Sequence, residues 1–166
     1  TILNKVAETT LGNNVFKEII IINDCSEDST ELEIRKFIER TRSVDVRYFA
    51  HEVNMGKGAA IHTGIEHASG DFIVIQDADN EYNPEEFNDM LKPLIEGKAD
   101  VVYGSRFIGS KPHRILFFWH TIGNKFLTFL SNMFSNLNLT DMETCYKIFD
   151  AKILKSIKLR ERRFGF

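Results

Sequence analysis

Residues 18–24 read E-I-I-I-I-N-D, four isoleucines in a row closed by a polar cluster. A half-buried strand alternates apolar and polar residues; an unbroken apolar, β-branched run asks for cover on both faces, which a central parallel strand receives from helices. The rest of the chain must therefore supply those helices. Asp28-Ser29-Thr30-Glu31 has capping-box form, with Asp28 accepting from a backbone N–H and Glu31 reaching back, and Leu32, Ile34, Phe37 and Ile38 follow at helical spacing. Ser26 is expected to cap the same helix. The alternation then repeats, with a short strand over 46–50, a helix over 57–68 closed by Gly70, and a strand over 71–76. Asn83-Pro84-Glu85-Glu86 places an N-cap, a first-turn proline and acids at the start of a helix reaching residue 96, and 99–103 gives another strand. Strand-then-helix order requires crossover connections. The expected class is α/β: a Rossmann-like, open, mainly parallel and doubly wound sheet with helices on both faces.

At 166 residues and 43% hydrophobic content, the chain suits one globular domain with a real core. A net charge of -3 gives no electrostatic reason for a nucleic-acid partner. Cys25 and Cys145 are far apart and form no CxxC, so neither a disulfide framework nor a zinc knuckle is indicated, and a reducing, cytoplasmic setting fits. The chain opens on Thr1 with no signal peptide in view and stops at R-F-G-F, and both ends are expected to be cut. The apolar stretch 115–134 is long enough to span a bilayer, but His120, Asn124, Lys125, Ser131 and Asn132 within it argue against a transmembrane helix. In that stretch Ile115, Phe118, Trp119, Ile122, Phe126, Phe129, Leu130 and Met133 form one helical stripe, and core packing is the expectation for it. Its density of aromatic residues also permits a helix that borders an apolar acceptor groove or rests on a membrane surface.

In open sheets of this kind, ligands bind beyond the carboxyl ends of the strands. Asn23-Asp24, Asp77-Ala78-Asp79 and Gly104-Ser105-Arg106 each follow an apolar strand, so three segments bring polar groups to one rim. In extended backbone the carboxylates of Asp77 and Asp79 share a face and can meet one hard cation, Mg²⁺ or Mn²⁺, whose shell is completed by water and phosphate oxygens. A nucleotide diphosphate is the natural partner, although an isolated DxD is also compatible with a solvated acidic turn. Asn54-Met55-Gly56-Lys57-Gly58-Ala59-Ala60 sets a glycine-flanked lysine at a helix start, where bare N–H groups favour an anion, or else makes an ordinary glycine-rich turn. It lacks the Walker A spacing. Asp24 can accept from a base or a ribose group. The five histidines show no metal spacing and are expected to be ordinary surface or half-buried residues.

The set E-I-I-I-I-N-D-C-S-E-D-S-T, N-M-G-K-G-A-A, G-D-F-I-V-I-Q-D-A-D-N-E-Y-N-P-E, V-V-Y-G-S-R-F and D-M-E-T-C-Y-K-I-F resembles family 2 glycosyltransferases of the dolichol- or polyprenyl-phosphate sugar synthase type, over nearly the whole chain. The resemblance implies a GT-A fold, a nucleotide-sugar donor, a divalent cation and inversion at the anomeric carbon. By position, Asp24 would contact the nucleoside, Lys57 and Gly58 would line its pocket, Asp77, Ala78 and Asp79 would face the donor diphosphate, and Asp77 and Asp79 would hold the metal. Arg106 and Lys147 would face the acceptor phosphate, Lys147 standing where many relatives have arginine and so losing the bidentate fork. Glu81 replaces a glutamine found in some relatives near the metal, and His120 stands near an arginine position of others. The family's opening strand is expected to precede Thr1, which makes the chain an internal part of a catalytic domain.

The reaction so implied is a direct displacement in which the acceptor oxygen attacks C1 of the sugar while the cation at Asp77 and Asp79 stabilises the leaving diphosphate. A lipid phosphate is already ionised and needs no strong base; a glycan hydroxyl does, and Asp141, at the family's base position, is then the candidate. A lipid-phosphate acceptor further implies peripheral association with the cytoplasmic face of a membrane. Other classes are a sugar nucleotidyltransferase, which would want an early glycine-rich loop, and a domain that binds nucleotide or carbohydrate without turnover. A haloacid-dehalogenase-like phosphatase needs Thr at position 81, where Glu81 stands.

Overall fold

The structure, a computed structural model, describes residues 1–12, 14–79, 82–107 and 117–163. Strand β1 (Glu18–Asn23) buries Ile19, Ile21 and Asn23 on one face and half-buries Glu18, Ile20 and Ile22 on the other. Ile19 and Ile21 pack on Ile34 and Phe37 of α2 (Thr30–Arg40), with Leu3, Val6 and Ala7 of the N-terminal helix α1 (Ile2–Glu8) closing that side. The opposite face is covered by α3 (Lys57–His67), whose Gly64 lies beside Ile22. The apolar run thus has cover on both faces. Parallel pairing with β2 (Asp45–Ala50) sets Glu18 opposite Asp45 and Asn23 opposite Ala50.

The local signals at helix ends resolve differently from the capping box expected at 28–31. Asp28 does accept from Thr30 N at 2.9 Å, but the N-cap is Ser29, and Glu31 turns forward to pair with Arg35 at 2.6 Å. Ser26 does not cap; its N–H donates to Asn23 Oδ1. The N–H of Gly70 likewise goes to Glu18 Oε1 at 2.8 Å instead of closing α3, which ends at Ala68 in extended conformation. The first two departures are settled by partners three or four residues away, and the third by Glu18, 52 residues distant in sequence.

The second half builds β3 (Phe72–Ile75), a 3₁₀ turn at Pro84–Glu86 capped by Asn83, α4 (Phe87–Ile95) and β4 (Val101–Tyr103). After α5 (Phe118–Ser135), β5 (Lys147–Asp150) inserts antiparallel between β3 and β4, and α6 (Ala151–Ser156) follows. Among the described residues the strands form two sheets, β1-β2 and β3-β5-β4, where one mainly parallel sheet was expected. Because β3 and β4 both oppose β5, they run in the same direction, and the crossover logic of the α/β class is kept. The register places Lys147 opposite both Ile75 and Tyr103, so the start of β5 lies at the carboxyl ends of its two neighbours. A second core of Phe87, Met90, Leu91 and Leu94 from α4 with Tyr82, Tyr146 and Ile148 underlies this sheet.

Helix α5 inverts the expected packing. Trp119, Phe126, Phe129 and Met133 are 77%, 59%, 62% and 56% exposed, while the polar Asn124 and Thr128 are buried. Thr128 accepts from the backbone N–H of Met142 at 3.2 Å, which ties the polar face inward. Among the described residues, no helix is long and apolar enough to cross a membrane. Ile115 and Glu81 lie outside the described residues.

Candidate active site

The carboxyl ends of β1, β3 and β4 carry the polar groups foreseen for the rim, and each is held by partners from other segments. Asp24 follows β1, and its Oδ1 accepts from His51 Nδ1 at 2.6 Å and from Met55 N at 2.9 Å, while Oδ2 accepts from Gly56 N at 2.7 Å. Burial works against its charge, but these hydrogen bonds outweigh it and hold the carboxyl below its ordinary value. Three of about four lone-pair positions of this carboxylate are thus spent on the protein itself. Its main structural work is to fix the loop that leads into Lys57.

Lys57 opens α3 and turns its ammonium to Asp77, reaching Oδ1 at 2.7 Å and Oδ2 at 2.8 Å, with Cys145 Sγ at 3.2 Å. Desolvation pulls against the charge of Lys57, yet the contacts with Asp77 and Cys145 leave its pKa raised. The Cys145 thiol is pushed up, first by burial and against the pull of Lys57. Asp77 and Asp79 do not share a strand face, because β3 ends at Ile75 and the pair falls in the bend beyond it. Asp77 is half-buried against Lys57, whereas Ala78 and Asp79 are exposed.

The N–H groups at the start of α3 are not bare. Gly58 N donates to Arg163 O at 3.2 Å and Ala59 N to Arg162 O at 2.8 Å, so a strap at 161–163 lies across the helix end and takes the donors expected to face an anion. A Cβ on Gly58 would meet Glu161 O at 2.5 Å, which explains the glycine by the strap's close approach.

At the β4 end, Gly104 is required by contact with Tyr146, whose ring a Cβ would meet at 2.7 Å. Thr144 Oγ1 donates to Gly104 O at 2.7 Å, and Tyr82 OH accepts from Cys145 N at 3.2 Å, locking β4, the 144–145 segment and the 82–84 turn together. Two residues on, Arg106 grips Asp141 with Nε and Nη2 at 2.8 Å each, while its backbone N–H adds a third bond at 3.0 Å. The Asp141 side chain is 0% exposed and that of Arg106 25%. The hydrogen bonds to Asp141 raise the Arg106 pKa against its desolvation. Lys147 donates to Thr144 O, faces the Tyr103 ring at 5.0 Å, and has its pKa lowered by burial.

The site residues read from the sequence are therefore gathered at one end of the strands, though paired among themselves: Asp24 with the loop, Lys57 with Asp77, Arg106 with Asp141. Sequence reasoning missed His51, whose Nε2 also meets Thr63 Oγ1 at 2.9 Å, and the strap. A histidine directly after a strand end was the available signal for the first; nothing local announces the second. Among the described residues, no cluster of three or more His, Cys, Asp or Glu side chains could hold a metal.

The sequence profile of glycosyl transferase family 2 matches residues 2–158. The chain belongs to this family. Its α/β architecture accordingly falls in the GT-A, Rossmann-like class. The chain is 28% identical over 170 residues to a UDP-N-acetylglucosamine–dolichyl-phosphate N-acetylglucosaminyltransferase of Methanococcus voltae, covering 93% of this chain and 67% of that protein. It is 36% identical over 109 residues to a dolichyl-phosphate beta-glucosyltransferase of Trichomonas vaginalis, covering 61% of this chain and 33% of the other. A dodecaprenyl-phosphate galacturonate synthase of Rhizobium johnstonii shares 28% identity over 142 residues, 86% of this chain and 40% of its own. The chain spans well under half the length of the last two.

Proposed function

We propose that the chain belongs to an inverting glycosyltransferase that moves a hexose from a UDP- or GDP-linked donor to a polyprenyl or dolichyl phosphate, with Mg²⁺ or Mn²⁺. The observation that carries this is the Lys57 ammonium lying across both oxygens of Asp77, with Asp79 exposed two residues on. A nucleoside diphosphate and its cation bring the complementary charges: the phosphates attract Lys57, and the cation suits the two carboxylates. The relatives whose names specify a lipid-phosphate acceptor support the acceptor class.

In the proposed step an acceptor phosphate oxygen attacks C1 of the sugar, the bond from C1 to the diphosphate oxygen breaks, and the electron pair leaves with the nucleoside diphosphate. A divalent cation held by Asp77 and Asp79 would neutralise charge developing on that leaving group. Lys57 adds a second positive charge there. A guanidinium has five N–H donors, and the side-chain fork to Asp141 uses two, so Arg106 keeps donors for an acceptor phosphate. Asp141, with both oxygens committed to Arg106, acts as its anchor; an ionised phosphate acceptor needs no base. The exposed aromatic face of α5 supports resting on a lipid surface, where such an acceptor resides.

The test offers full-length protein UDP-glucose, UDP-N-acetylglucosamine and GDP-mannose with Mg²⁺ or Mn²⁺ and either polyprenyl phosphate or a glycan, recording product linkage. Cation-dependent transfer to polyprenyl phosphate with inversion is expected. Donor binding without turnover, or pyrophosphate release from a sugar phosphate and nucleoside triphosphate, would overturn the assignment. Asp79→Asn should remove the cation-dependent part of donor binding in calorimetry; unchanged binding would sink the metal assignment.

A further inference from the structure

His51 stands one residue beyond β2 and extends the β1-β2 ladder by donating its backbone N–H to Asn23 O at 2.9 Å. Its ring connects three elements. Nδ1 lies 2.6 Å from Asp24 Oδ1 at the end of β1, and Nε2 lies 2.9 Å from Thr63 Oγ1 on α3. The side chains of His51 and Asp24 are only 11% and 17% exposed, so water competes weakly for these bonds. The same Asp24 carboxylate receives the N–H groups of Met55 and Gly56, and its carbonyl receives Asn54 Nδ2 at 3.2 Å. The next residue is Lys57, the cation on Asp77.

A carboxylate that accepts from two successive backbone N–H groups positions a loop only if the carboxylate itself cannot rotate. Asp24 has two side-chain torsions, and Cys25 beside it already holds a left-handed φ of 59°. The hydrogen bond from His51 Nδ1 removes the remaining freedom of Asp24, and Thr63 in turn fixes the ring. The geometry points to His51 as a positioning residue: through Asp24 it holds the 54–56 loop and so delivers Lys57 to Asp77. This rests on the donor-site assignment made above for Lys57 and Asp77.

Asparagine can reproduce the Nδ1 donor of histidine and glutamine the Nε2 position, which separates the two contacts. In full-length protein, hydrogen–deuterium exchange is followed on peptides spanning 52–57, and UDP and GDP binding is measured by calorimetry with Mg²⁺. In His51→Gln and His51→Phe, exchange across Met55 and Gly56 is expected to speed at least about tenfold, the equivalent of 1.4 kcal/mol, with β1 unaffected and nucleotide affinity falling by a similar factor. His51→Asn is expected to restore both. Thr63→Val, which keeps the imidazole but removes its contact at Nε2, gives a smaller acceleration and keeps the test available if the other variants fold poorly. Unchanged exchange at 52–57 in folded His51→Phe would overturn the role. Faster exchange in a protein whose wild type binds neither nucleotide would instead leave the positioning role standing and refute the donor site.

Discussion

Replacing Asp141 by Asn tests whether this carboxylate is an anchor or a base. The wild-type group is fully enclosed and accepts three bonds from Arg106, two from the guanidinium and one from the backbone. Asparagine keeps the shape and one acceptor oxygen but turns an NH₂ toward a donor and removes the charge that Arg106 faces. Breaking a buried pair by removing one partner costs about 3–5 kcal/mol. Arg106 is a quarter exposed and can draw partly on water, which brings the expected loss to about 2–3 kcal/mol. For a chain of this size that is a fall in melting temperature of about 4–12 °C. Urea and thermal unfolding of wild type, Asp141→Asn, Arg106→Ala and the double variant measure the loss and the coupling, expected at about 2 kcal/mol. Transfer to a lipid phosphate should weaken in Asp141→Asn, because Arg106 is no longer aimed, whereas a base role would abolish transfer to a hydroxyl. A loss under about 0.5 kcal/mol with no coupling would show that the pair is not engaged and would return Asp141 to the role of base.

Two further outcomes follow from packing and charge. Phe126→Asp with Phe129→Asp should leave the unfolding free energy within about 0.5 kcal/mol of wild type while reducing co-sedimentation with lipid vesicles; a multi-kcal loss would mean that these rings are core residues after all. Burial alone would raise the Glu18 pKa, but hydrogen bonds from Ser69, Gly70 and Arg47 bring it below the ordinary value. A depressed folded pKa gives stability that is present above the unfolded value of about 4.3 and lost as pH falls through the folded one. Wild type should therefore exceed Glu18→Gln by about 1–2 kcal/mol at neutral pH, with the gap closing on acidification below about pH 4. A gap that widens in acid would refute the sign.

The sequence by itself determined the order and type of the elements from β1 to β4, because each rests on a local signal such as the isoleucine run of β1 or the Asn83-Pro84 helix start. It also indicated that polar groups follow the ends of β1, β3 and β4, where Asp24, Asp77 and Arg106 stand. Tertiary structure alone decided how those groups are used. Arg106 and Asp141 are 35 residues apart and Lys57 and Cys145 are 88 apart, and no spacing rule pairs residues at such separations. The antiparallel insertion of β5 likewise depends on two strands already in place on either side. Helix α5 shows the limit most plainly. Periodicity established that its aromatic residues lie on one face, but a period is blind to which face turns inward; in the structure Thr128 accepts from Met142 N and is buried with Asn124, while the apolar side is exposed.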